Sequence, residues 1–172
     1  MLIALTGTPG TGKTSVAKVL EREYRVIYLK DFEDARMYYD EERKSYVVDI
    51  DMLKDKVKEL KDKEKVILEG HYSHDMPVDL VIVLRCHPDE LRKRLEKRGY
   101  IERKIRENLE AEAMGLITSE AINYYGKDKV FEVDTTGREP KDVAEDVRNI
   151  IERKDEKFRP RINYMGEILK WY

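Results

Sequence analysis

The sequence holds no glutamine, four asparagines, one cysteine and one tryptophan. Cys86 has no second cysteine to pair with, so an internal disulfide is excluded and a reducing cytosol fits. No stretch approaches the ~18 uninterrupted apolar residues of a membrane span. The apolar start, Met1–Gly7, lacks the basic flank and cleavage site of a secretory signal and reads as a buried strand. A soluble, cytoplasmic protein is expected, and a monomer is favoured. An excess of one charge sign is also missing: 34 Lys and Arg against 36 Asp and Glu leave a net charge of −2. Bulk attraction to nucleic acid or to an anionic membrane is therefore absent. His71, His74, His87 and Cys86 lack the spacing of a zinc site. What remains abundant is charge of both signs, 41% of residues, and with so few amides this is the bias of proteins adapted to heat.

At 172 residues one domain with a sizeable core is expected. Five short apolar runs read as strands: 2–6, 26–29, 65–69, 79–84 and 130–133. Between them lie amphipathic stretches, from Lys13 to about Glu23, Asp49–Lys63, Pro88–Arg98, a long helix over roughly Glu102–Tyr124, and Pro140–Glu152. Pro88 and Pro140 mark helix starts. Asp31–Tyr46 is acidic and aromatic, with no clean period. Residues 154–172 form a tail, whose Ile168, Leu169 and Trp171 are expected to pack on the body. Strands alternating with helices predict a parallel sheet covered on both faces, a three-layer α/β sandwich.

The sharpest motif is Gly7-Thr-Pro-Gly10-Thr-Gly12-Lys13-Thr14, a complete G-x-x-x-x-G-K-[ST] placed between a strand and a helix. Glycines let successive backbone N–H groups converge on phosphate oxygens, and the helix N-terminus adds positive potential. Lys13 is expected on the β- and γ-phosphates of ATP, Thr14 on Mg²⁺, and Ser15 on the α-phosphate. Gly10 and Gly12 complete the cradle. The turn Asp134–Gly137, after the fifth strand, is where this fold borders the base.

Beyond the loop, the chain carries Tyr39-Asp-Glu-Glu42, Glu69-Gly70-His71, Val81-Ile-Val-Leu-Arg85 and Arg94-Leu-Glu-Lys-Arg98-Gly-Tyr100. With these motifs it resembles the atypical adenylate kinases of archaea and of the eukaryotic nucleus, over nearly all of residues 1–150. The resemblance implies a nucleoside monophosphate kinase fold and the reaction ATP + AMP ⇌ 2 ADP with Mg²⁺. It also implies an ATPase activity linked to His71, and a role in small ribosomal subunit maturation with a small-subunit ribosomal protein as partner. By the same resemblance Glu69 shares the Mg²⁺ with Thr14, in place of the family's usual aspartate. Arg98 opens a short lid, about residues 98–109, over the ATP phosphates.

Residues 30–53 are expected to form the monophosphate segment, with Arg36 as the candidate phosphate clamp and Asp31 and Tyr39 nearby. Plainer readings stand beside these. Arg94 and Arg98 are spaced as solvated charges at i, i+4, His71 as a strand-end histidine, and 31–51 as an acidic surface loop or a dock for a basic partner. A kinase for another small metabolite, or mainly an ATPase, are the rival functions.

Overall fold

Each of the five apolar runs becomes a strand because each is covered on both sides. The computed structural model describes residues 1–42, 45–60 and 64–172. Its strands are β1 (Leu2–Thr6), β2 (Arg25–Tyr28), β3 (Arg36–Asp40), β4 (Ser45–Val48), β5 (Val66–Glu69), β6 (Leu80–Arg85) and β7 (Val130–Asp134). The helices are α1 (Lys13–Leu20), α2 (Ile50–Lys58), α3 (Pro88–Lys97), α4 (Glu102–Ala113), α5 (Leu116–Tyr125), α6 (Pro140–Arg153) and the single turn α7 (Met165–Ile168). Five strands form one sheet in the order β2-β5-β1-β6-β7, all parallel.

Successive side chains of β1 point to opposite faces. Ile3 and Leu5 join Ile67, Ile82 and Phe131 against Val16 and Leu20 of α1 and Val143, Val147 and Ile150 of α6. Leu2 and Ala4 join Leu68, Val81 and Val83 against Leu53 and Val57 of α2 and Ala121 of α5. These are the two cores of a three-layer α/β P-loop fold, as the alternation of elements predicts. A third, smaller cluster binds α3 to α4 through Cys86, Leu91, Leu95, Ile105 and Leu109.

Four expectations change. The segment read as irregular holds an antiparallel hairpin, β3 with β4. The middle of β3 is exposed, with Met37 and Tyr38 at 65% and 60%, and in β4 Val47 and Val48 are both half-buried, so no apolar alternation marks them. The single helix expected over 102–124 is two, broken at Gly115, whose φ is +62°. That left-handed turn suits glycine, and it lets the chain pass the Arg85 guanidinium, 3.6 Å from where a Cβ would stand. The helix expected over 49–63 ends at Lys58, and Lys61–Lys63 lie outside the described residues. In the tail, Trp171 packs on the Cys86 cluster as expected, but Leu169 is 80% exposed and does not.

Candidate active site

The phosphate loop is set by its strand neighbours. Parallel register places Leu5 beside Glu69, so the Glu69 carboxylate emerges next to the loop that follows β1. Gly7 opens that loop with φ +149°, where a Cβ would lie 2.6 Å from the Leu84 carbonyl oxygen. No side chain fits there. Lys13, the first residue of α1, folds back and donates from Nζ to the Gly7 carbonyl at 2.8 Å and the Thr8 carbonyl at 3.1 Å. Thr14 donates its hydroxyl to Glu69 Oε1 at 3.4 Å.

The electrostatics follow from burial. Desolvation pulls the Lys13 ammonium down to about 8, with the Glu69 carboxylate opposing it and Arg98 adding to the decrease. Burial likewise raises Glu69 above the ordinary carboxylate range, resisted by the charges of Lys13 and Lys30 and by the Thr14 hydroxyl. The buried lysine and the buried glutamate at the mouth of the phosphate loop thus each offset part of the other's desolvation.

A single cavity of about 1220 Å³ runs from this loop to the hairpin. It is lined by every predicted site residue: Gly10, Gly12, Lys13, Thr14, Ser15, Asp31, Arg36, Glu69, His71 and Arg98. Arg36 donates to the Lys30 carbonyl at 2.8 Å and lies over the Tyr46 ring, 4.4 Å from its centroid. Tyr46 meets Tyr39 edge-on at 5.2 Å, so the hairpin turns an aromatic and cationic wall toward the loop. His71 is exposed and rests edge-on against Tyr72 at 4.5 Å. Arg98 ends α3 and lies over the Tyr100 ring at 5.3 Å. Just beyond β3, Glu42 at the hairpin turn pairs with Arg103 of α4.

Several lining residues were not among the site residues expected from the sequence. Arg94 is more than a solvated charge, since it donates to the Gly10 carbonyl at 3.2 Å, the Thr135 carbonyl at 3.2 Å and Glu90 at 2.9 Å. It thereby ties the phosphate loop to the turn after β7. Its place one helical turn before Arg98 was the available signal. Lys30, Tyr72, Lys104, Asn108 and Arg138 also line the cavity; Lys30 falls in the expected monophosphate segment and Lys104 and Asn108 in the expected lid, but nothing in the local sequence singles out the individual residues. His74, by contrast, is taken up structurally, between the Thr6 hydroxyl at 2.9 Å and Glu120 at 2.7 Å.

This geometry has relatives. The family described as an AAA domain matches residues 3–115, the span from β1 through the whole phosphate loop to the end of α4. A protein of Methanosarcina acetivorans, provisionally named an adenylate kinase, is 49% identical over 164 residues, covering 88% of this chain and 87% of its own. One of Pyrococcus abyssi with the same name is 47% identical over 154 residues, covering 88% and 84%. A third, of Methanocaldococcus jannaschii, is 39% identical over 163 residues, covering 91% and 89%. The chain belongs to this adenylate-kinase-like P-loop family. Among solved structures, a deoxyadenosine kinase of M. mycoides superposes with a TM-score of 0.54 and 18% identity, covering 90% of this chain and 100% of that one. At that identity the likeness speaks for the shared fold. The described residues include no helix long and apolar enough to cross a membrane.

Proposed function

We propose that the protein transfers the γ-phosphoryl group of ATP to AMP, forming two ADP. One observation carries this reading. A chain of net charge −2 concentrates eight cationic side chains against three carboxylates around one cavity that joins the phosphate loop to the Arg36 wall. At about 1220 Å³ the cavity exceeds the ~300–1,000 Å³ usual for one small ligand.

The chemistry asks for little else. An AMP phosphate is largely dianionic at neutral pH, so its oxygen attacks the γ-phosphorus without giving up a proton. The bond from that phosphorus to the β–γ bridging oxygen breaks, and the electron pair leaves with ADP. The obstacle is the repulsion between two polyanions, and positioned cations remove it. Lys13 and the loop amides hold the donor, with Ser15 beside them. Arg36 receives the acceptor phosphate, Asp31 and the Tyr39–Tyr46 wall flank it, and Arg98 closes from the lid over residues 98–109.

The Thr14 hydroxyl and the Glu69 carboxylate lie 3.4 Å apart. That is close to the ~3 Å between neighbouring ligands of a Mg²⁺ ion with bonds of about 2.1 Å, and both are the hard oxygens it prefers. These two residues would hold the metal, which supplies charge neutralisation at the phosphates.

A second reading, ATP hydrolysis, is favoured by His71 lining the same cavity beside Glu69, where an imidazole can orient water. Exposed Glu41 at the hairpin turn, within the acidic 31–51 segment, offers negative charge to a basic partner, the small-subunit ribosomal protein that the resemblance implies. One assay separates the two. ADP formed from ATP·Mg strictly with AMP, without inorganic phosphate, supports the kinase. Phosphate release stimulated by a basic small-subunit ribosomal protein supports hydrolysis. AMP-independent transfer to another metabolite overturns both. Lys13→Ala is expected to abolish turnover with an unchanged circular dichroism spectrum, and wild-type turnover in that variant would refute the site.

A further inference from the structure

The densest buried charge lies outside the cavity. Arg85, at the end of β6, is 1% exposed, and Glu112 and Glu132 are 2% and 4% exposed. Arg85 donates from Nε to Glu112 Oε2 at 3.0 Å, from Nη2 to the Glu112 carbonyl at 2.8 Å, and from Nη1 to the Glu132 carboxylate. Glu132 is completed by the Thr118 hydroxyl at 2.8 Å and the Arg161 and Ile162 amides at 2.8 and 3.0 Å. Glu112 is completed differently. Its Oε2 also accepts from the Cys86 amide at 2.8 Å, and its Oε1 accepts from the Thr8 hydroxyl at 2.9 Å. Thr8 belongs to the phosphate loop.

A buried ion cluster seldom adds net stability over apolar side chains of the same volume, so position is the better account of it. The Thr8 carbonyl accepts from Lys13 Nζ at 3.1 Å, from the Thr11 hydroxyl at 2.9 Å and from the Thr11 amide at 3.2 Å. A carboxylate on α4 therefore fixes the residue whose carbonyl holds the phosphate-binding ammonium. Eight residues earlier on α4, Lys104 lines the cavity. That is about two helical turns, or ~12 Å of rigid rod.

We propose that Glu112 is a positioning residue that locks α4, with Lys104 and Asn108, to the phosphate loop through Thr8. The proposal takes from the reading above only that the loop binds ATP.

The test is the affinity of the full chain for ATP·Mg by titration calorimetry, with folding followed by circular dichroism and thermal midpoint. Glu112→Gln and Thr8→Val are each expected to weaken binding about tenfold, the loss of a hydrogen bond to a charged group. The double variant is expected to be no weaker than either single within about threefold, because both remove one shared contact. Thr8→Ser keeps the hydroxyl and is expected to bind like wild type. Glu132→Gln breaks the same guanidinium cluster without touching the loop. It is expected to lower the thermal midpoint while changing ATP affinity by less than about threefold.

Additive losses in the double variant, or equal losses from Glu132→Gln and Glu112→Gln, would overturn the proposal. Should Glu112→Gln not fold, the Thr8 pair decides: a valine variant that binds like wild type overturns it, and a tenfold gap between valine and serine upholds it. Absence of AMP-dependent ADP formation in the wild type would refute the kinase reading alone, since the affinity cycle does not use AMP. A wild type that binds no ATP·Mg overturns both.

Discussion

Lys13 shows how one side chain links stability to binding. Its ammonium is buried and satisfied by carbonyls of its own loop, and burial holds its pKa at about 8. In the unfolded chain a lysine titrates near the ordinary ~10.4. Between those two values the unfolded state binds the proton more tightly, so this group's contribution to stability rises with pH across that window. Below about 8 the folded protein carries a desolvated charge. Lys13→Met is therefore expected to raise the thermal midpoint of the free protein at pH 7, although on the proposed reading it removes phosphate binding. The same value sets a binding limb. ATP affinity of the free protein is expected to be level below pH 7.5. It then falls about tenfold per pH unit once the ammonium has lost its proton. Calorimetric titration from pH 6.5 to 9.5 reads this directly, and a level profile would detach Lys13 from the phosphates.

At the scale of elements, the informative places are the breaks. α4 and α5 could have continued as one helix, but a straight rod would carry α5 away from the sheet face where Ala121 is buried. Gly115 turns the chain with φ +62°, while Glu112, one turn before, keeps α4 on the phosphate loop. A Cβ at Gly115 would meet the Arg85 guanidinium only at ordinary contact distance, 3.6 Å, so the cost of a side chain there is conformational. Gly115→Ala is expected to destabilise by about 1 kcal/mol, lowering the thermal midpoint by ~2–4 °C with the fold retained. The hairpin β3–β4 is the other such element. Its strands are held by each other and by the aromatic and cationic contacts of Arg36, Tyr39 and Tyr46. Among its described residues only Val48 of β4 reaches a core, and the rest of the hairpin stands over the cavity, which suits the acceptor-side wall proposed above.

For the molecule as a whole, the tail past α6 is part of the body. Arg159 lies over the Phe131 ring at 4.4 Å, and the Arg161 and Ile162 amides satisfy Glu132 Oε1. Truncation before Arg159 would leave a buried carboxylate oxygen without its donors. The expected loss is about 3 kcal/mol or more, a fall of roughly 10 °C in thermal midpoint by calorimetry. A truncated chain that melts like the full one would show the tail to be dispensable. The charge layout acts at the same scale. Cations gathered on one cavity of a near-neutral chain favour nucleotide entry there, without making the protein a general polyanion binder.

The contiguous features were legible from sequence alone. The phosphate loop is eight consecutive residues whose chemistry is local, and the five strands are apolar runs because both faces of a parallel sheet are buried. Pro88 and Pro140 announce their helices by the physics of a missing N–H. The resemblance brought Glu69, His71 and Arg98 to attention, and the cavity collects them. What only the tertiary structure decided depends on distance along the chain. Residue order does not say that β5 inserts between β1 and β2, which is what sets Glu69 beside Thr14. The exposed hairpin leaves no periodic trace, because neither of its faces is buried deeply enough to demand one. Arg85, Glu112 and Glu132 are 27 and 47 positions apart, and each alone reads as one more charge in a highly charged sequence. Folding buries them together, and the need to satisfy every buried charge ties the phosphate loop to α4.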